Sequence, residues 1–200
     1  MELKYSPLSP YVRKVTITLH ELGLADRVLL TKVDARGDPG AITPFNPLGK
    51  IPALLTDDGG VLFDSPVICE YLDAEFGGHR LLAASGPQRW ETLTRSALAD
   101  GMVDAAILMR HERARDEAKR SQEWIAWHLR KVTQGLDALE GRIDALGERF
   151  DLGQIALAAA LGYMPLRVDE LEGLPRWPRL KAWYERVCAR DSLQRTAPVL

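Results

Sequence analysis

An α/β unit followed by an all-α domain is the fold class the sequence predicts, and three observations carry it. Short apolar runs separated by turn residues occupy the chain up to about residue 77, in the order β-α-β, loop, β-β-α. The stretch "GGHRLLAASGP", Gly77 to Pro87, interrupts the pattern with small and turn-forming residues. Beyond it only helical periodicity survives. The predicted division is residues 1–77, a linker over 78–87, and a helical domain over 88–200. A chain of 200 residues supports a sizeable core in this arrangement.

Each element has a local cause. Glu2 to Tyr5 reads as a short strand, and Pro10 to Leu22 as a helix with Val12, Val15, Leu19 and Leu22 on one face, stopped at Gly23. Val28 to Val33 is a second strand, joined by a right-handed crossover. After the loop "DARGDPGAITPFNPLGK", Ala53–Thr56 and Val61–Phe63 flank Asp57-Asp58-Gly59-Gly60, a turn of residues that tolerate positive φ. Ser9-Pro10 and Ser65-Pro66 each pair a capping hydroxyl with a proline at the first helical position. The second of these helices runs to about Phe76. Helices are expected over Trp90–Ala114, Glu117–Leu146, Leu152–Arg167 and Leu180–Ala189. In "FDLGQIAL", Asp151 precedes Gln154 by three residues, a capping box, with Phe150 and Ile155 placed as a hydrophobic staple. Trp124 and Trp127, on one helix face, are expected in the core.

Composition narrows the function. A net charge of −2 gives no reason to expect nucleic acid or an anionic membrane as partner. The longest apolar stretch, Ile155 to Leu166, is too short to span a bilayer, and the N-terminus has no export signal, so a cytoplasmic location is expected. Cys69 and Cys188 form no CxxC pair and read as reduced, buried thiols. His20, His79, His111 and His128 have no ligand partners at helical spacing, so no metal is expected. "NPLGKI" is not a phosphate loop, because Pro44 stands where a glycine is required and Ile51 where Ser or Thr would bind magnesium. The run Arg110 to Arg120 mixes signs and reads as a solvated helix end.

What remains is the turn "YSPLSPYVRKV" and the hairpin. Pro52 cannot donate to a β ladder, so it leaves a strand edge open beside a polar helix start. With "SPYVRK", "NPLGKIPAL" and "FDSPVICEYL", the chain resembles a cytosolic glutathione S-transferase over nearly its whole length, a thioredoxin-like domain joined to a helical one. "ALADGMVDAAILMRHE" is similar to the bacterial YibF-like subgroup. The resemblance implies a cis bond before Pro52, and pairing of the Ile51 backbone with glutathione's cysteinyl unit. It also implies that Asp64 and Ser65 hold the γ-glutamyl end and that Lys50 approaches the glycine carboxylate. Ser9 matches the position of the hydroxyl that favours the thiolate, assisted by the first helix's N-terminus. Tyr5, Ser6 and Tyr11 are neighbouring hydroxyls.

The implied activity is conjugation of glutathione, as co-substrate, to a small hydrophobic electrophile in detoxification, or reduction of peroxides. Tyr11, Met102 and Met109 are expected to line the electrophile pocket. A homodimer is implied by the resemblance, and Ala97, Gly101 and Ala105 form a small-residue strip on the first long helix that suits close helix approach, between copies or within one subunit. Some serine-type classes of the family use a basic residue of the loop around Gly37 on the glycine carboxylate; none is assigned to that role here, and a weaker glutathione affinity is expected. The rival reading is a non-catalytic binding protein on the same fold, of the starvation-protein type; Ser9 disfavours a cysteine-type thiol transferase.

Overall fold

The computed structural model describes residues 1–198. Strand β1 (Glu2–Tyr5) lies between β2 (Leu29–Lys32), which it pairs in parallel, and β3 (Ala53–Leu55), which it pairs antiparallel. Strand β4 (Val61–Leu62) closes the hairpin, giving the order β2-β1-β3-β4. Leu3, Ala53 and Leu54 are fully buried, so the two central strands supply the core. Helix α1 (Pro10–Leu22) connects the parallel pair and packs against α2 (Ser65–Leu72). Gly23 ends α1 at φ 70°, a left-handed conformation that lets its N–H reach His20 and Leu19 carbonyls.

Two expectations about caps need correction. Asp64, not Ser65, caps α2, its carboxylate accepting the Ser65 N–H, so Ser65 is the first helical residue. At α5 (Leu152–Tyr163) half of the capping box forms: Asp151 accepts from the Gln154 N–H at 2.9 Å. The Gln154 amide instead donates to the Leu146 and Arg149 carbonyls at 2.6 and 2.7 Å, because the preceding loop offers acceptors that a backbone N–H cannot. Phe150 and Ile155 are both buried, as the staple requires.

The segment 78–87 is anchored rather than loose. The Asp73 carboxylate accepts from the Leu81 and Leu82 N–H groups, the Leu152 N–H donates to the Leu81 carbonyl, and Leu81 and Leu82 are buried. Then α3 (Pro87–Arg113) and α4 (Gln122–Gly141) pack together, with α5 against α3 and α1. The helix expected over 117–146 is shorter, because short 3₁₀ turns occupy 117–119 and 143–146. Helix α6 (Pro178–Cys188) begins two residues earlier than expected, and α7 (Asp191–Arg195) was not anticipated. The Glu21 carboxylate on α1 accepts from Arg190 and Ser192, which ties α7 to the first helix.

Helix α5 is buried nearly all round, and two glycines make that possible. A Cβ at Gly153 would meet the Thr92 carbonyl at 2.8 Å, and one at Gly162 would meet Arg13 Nη1 at 1.9 Å. One further expectation fails at the surface. Trp124 and Trp127 are 46% and 51% exposed, because Ile125, His128 and Val132 take the inner face of α4. Trp127 lies beneath Arg130 and Lys131 instead. Of the small-residue strip on α3, Ala97 and Gly101 are exposed whereas Ala105 is buried in the core. Cys69 is buried with its thiol pushed up to about 11 by burial, and Cys188 is free and partly exposed.

Candidate functional site

The parallel pairing of β1 and β2 places their C-terminal ends at one edge of the sheet. Antiparallel pairing of Lys4 with Ala53 extends β3 backwards, so Ile51 lies opposite Ser6 in the β1–α1 loop. The Ile51–Pro52 bond is cis, and the Ile51 N–H and carbonyl take no partner among the described residues. An unpaired strand edge therefore faces the start of α1.

Ser9 caps α1 in extended conformation, its Oγ accepting the Val12 N–H at 3.3 Å. That bond uses a lone pair and leaves the hydroxyl proton free to donate outward. Tyr11 is differently placed. Its O–H donates to Asp104 of α3. Burial first, then that hydrogen bond and the charges of Asp104, Asp100 and Asp64, hold the phenol well above its usual range. Tyr11 is thus a fixed donor at the cleft wall, and Ser9 is the hydroxyl with an uncommitted proton.

Two acids that sequence reasoning missed complete this wall. Lys14, almost fully buried, is held by both Asp100 oxygens at 2.7 and 2.8 Å. Burial raises the Asp100 carboxyl despite Lys14, and Asp64 and Asp104 push it the same way. Asp100 is thus neutralised by Lys14 while the charges of Asp64 and Asp104 reach it, which makes a locally acidic corner. Their signal was present: Asp100 and Asp104 stand four residues apart, on one face of the helix.

At the same corner the Ser65 side chain is buried, and its Oγ has no hydrogen-bond partner. A buried hydroxyl without a partner costs free energy that an anionic acceptor at the α2 N-terminus would offset. Lys50 is exposed and makes no ion pair among the described residues, while its carbonyl accepts from Asn46 Nδ2 at 2.9 Å. The fit to a zwitterionic ligand is chemical. The site offers acids on one side and, on the other, a helix start with an orphan hydroxyl and an exposed lysine.

Met102 and Met109 do not line this cleft. They are 2% and 1% exposed, and Met102 packs against Gly135 of α4. The α3 face that looks onto the cleft is instead Asp100, Asp104, Leu108 and His111. Lys14, Tyr11 and Arg36 meet the first, second and fourth of these. Arg36 lies in the loop given no role, and its Nη2 donates to His111 Nε2 across the cleft. Partial burial, then the charges of Arg36 and Arg110, hold His111 below its usual range. Among the described residues no three His, Cys, Asp or Glu side chains gather as a metal site.

A two-domain fold with a thioredoxin-like sheet, an open strand edge and a polar helix start is the architecture of a glutathione-dependent transferase. Family models for the glutathione S-transferase N-terminal and C-terminal domains match residues 8–75 and 110–186. The GST-like protein YibF of Escherichia coli K12 is 33% identical over 99% of this chain and 98% of its own length. The chain belongs to the glutathione S-transferase family. A glutathione transferase family member from Pseudomonas fluorescens Pf-5, solved with bound glutathione, is 42% identical with a TM-score of 0.94 over 100% of this chain and 99% of that one. A structure with bound S-(propanoic acid)-glutathione, again 42% identical, covers 100% of each chain with a TM-score of 0.90.

Proposed function

We propose that the chain binds glutathione along the Ile51 edge and uses Ser9 to favour its thiolate, which then attacks a small electrophile between the domains. What supports this reading is that Ser9 keeps a free hydroxyl proton, the Ile51 backbone is unpaired and the buried Ser65 hydroxyl has no partner, three unsatisfied groups at the positions the family uses for glutathione. Residues 1–77 supply the glutathione half. Residues 88–200 supply the acceptor half through α3, and 78–87 join them. Asp64, with Asp100 and Asp104 behind it, faces the ligand's ammonium, the Ser65 hydroxyl and α2 amides face the α-carboxylate, and Lys50 faces the glycine carboxylate. Bound glutathione in the Pseudomonas relative supports glutathione as the ligand.

The thiol's ordinary pKa is about 8.5, and a hydroxyl donor plus a helix N-terminus both stabilise the anion. The same reading takes a second copy of the chain against the exposed face of α3 carrying Ala97 and Gly101, and places the enzyme in the cytoplasm. Among the described residues no helix is long and apolar enough to cross a membrane.

Calorimetric titration with glutathione, for wild type and Asp64→Ala, tests the assignment. Loss of a charge-assisted contact lowers affinity by roughly ten- to a hundredfold. Unchanged affinity in the variant would place the γ-glutamyl end elsewhere. Sedimentation as a monomer at micromolar concentration would remove the second copy.

A further inference from the structure

The cleft beyond Ser9 has a chemical polarity of its own. Ser9 follows the end of β1 by four residues, and Arg36 follows the end of its parallel neighbour β2 by four, so both loops leave the sheet at one edge. Along the facing helix, Asp104 meets Tyr11 and His111 meets Arg36. Seven residues separate these two contacts, roughly 10 Å along α3. Between them, one turn past Asp104 on the same face, Leu108 is 41% exposed, and Leu8 beside Ser9 is 38% exposed. The wall therefore runs from the thiol site, past apolar side chains, to a cationic end.

No side-chain ion pair engages Arg36, Arg110 or His111 at that end among the described residues. The acid beside the guanidiniums, Asp34, is turned to the backbone of its own loop, where it accepts the N–H groups of Arg36 and Gly37. The other nearby acids are committed elsewhere. Glu112 holds Arg115 and the Ser121 N–H, and Glu170 holds Arg113. With the chain at net charge −2, this local excess of cations runs against the global balance. The conjugate bound by the Pseudomonas relative carries a carboxylate on the group attached to sulfur.

We infer that the electrophile taken by this site is an anion, an apolar body ending in a carboxylate, and that Arg36 is the residue that reads that carboxylate, with Arg110 and His111 beside it. This rests on the reading of the groove as a thiol-conjugating site. In the reaction with an aryl halide, the thiolate sulfur attacks the ring carbon bearing chlorine. The carbon–sulfur bond forms, the carbon–chlorine bond breaks, and chloride leaves with the electron pair. The carboxylate is held throughout and does not react.

The test compares chloronitrobenzoate, with chlorine para to the carboxyl and ortho to the nitro group, with its uncharged carboxamide. For each, kcat/KM is divided by the uncatalysed rate constant with glutathione. The benzoate is expected to be favoured about tenfold, the scale of one charge-assisted hydrogen bond. Arg36→Gln should remove that preference through the benzoate alone, with the carboxamide unchanged, and about 1 M salt should shrink it in the wild type. Equal values for the two acceptors would overturn the inference. So would a variant whose KM for glutathione rises equally with both, because the cations would then serve the glycine carboxylate. Absence of turnover with either acceptor would refute the conjugating reaction itself. The inference is then decided by calorimetry with the preformed aryl conjugates. Tighter binding of the carboxylate conjugate by about tenfold supports it, and equal binding overturns it.

Discussion

Replacing Lys14 with methionine removes the ammonium that pairs with Asp100 at the α1–α3 joint. Lys14 is almost fully buried, and both Asp100 oxygens reach it at 2.7 and 2.8 Å, with Asp100 itself only partly exposed. Methionine fills nearly the same volume, so the cost is electrostatic: Asp100 is left beside Asp104 and Asp64 without a counter-ion. Removing one partner of a buried pair costs about 3–5 kcal/mol, and the residual exposure of Asp100 brings this to about 2–4. For a chain of this size that lowers Tm by roughly 5–15 °C at neutral pH.

The pH dependence fixes the cause. The Asp100 carboxyl is already raised in the folded state, by burial against the opposing pull of Lys14. A carboxyl with a raised folded-state pKa weakens the fold above that pKa, and the penalty is relieved as pH falls through it. Without Lys14 the pKa rises further, so the variant's deficit must be largest near neutrality and must narrow on acidification. Thermal melts of wild type, Lys14→Met and Lys14→Met/Asp100→Asn at neutral and mildly acidic pH read this directly. The double variant should recover most of the loss. A deficit that is equal at both pH values, and that persists in the double variant, would show that Lys14 acts by packing and refute the electrostatic argument.

Ser9→Ala should leave glutathione affinity nearly intact, lower conjugation turnover about tenfold at neutral pH, and recover part of that rate as pH rises, since the thiol then ionises unaided. Its cap bond to Val12 is long at 3.3 Å, so melts should show a loss of only about 0.5–1 kcal/mol. An unshifted pH–rate profile would pass the role to another group. Gly162→Ala drives a Cβ into the Arg13 guanidinium, which is confined by α5 and by the Tyr184 hydroxyl. It should destabilise by about 1–3 kcal/mol in chemical denaturation, and a neutral result would mean the α1–α5 joint yields more than its packing implies.

Where the local sequence decides conformation, the reading carried over to the structure. The Asp57–Gly60 turn, the Ser9-Pro10 start and the Gly23 stop each act within a few residues, so the β-α-β, β-β-α order was legible. The α2 cap was assigned one residue late because Asp64 and Ser65 are both competent caps, and only the backbone distinguishes them. The side chains of α3 failed for a different reason. Periodicity puts Met102 and Met109 on one face and Asp104, Leu108 and His111 on another. It does not say which face meets α4 and α5 and which meets the cleft. Trp124 and Trp127 carry the same ambiguity on α4. The contact of Arg36 with His111 was missed because the two residues stand 75 positions apart in the chain. Long-range pairs leave no local trace in a single chain.

The ultraviolet absorbance of glutathione's thiolate, followed through a pH titration of the glutathione-saturated protein, measures the central quantity. Ser9 and the N-terminus of α1 predict a midpoint about one to two units below the 8.5 of a free thiol, returning toward it in Ser9→Ala. A bound thiol that titrates at the free value in the wild type would contradict thiolate stabilisation at this site.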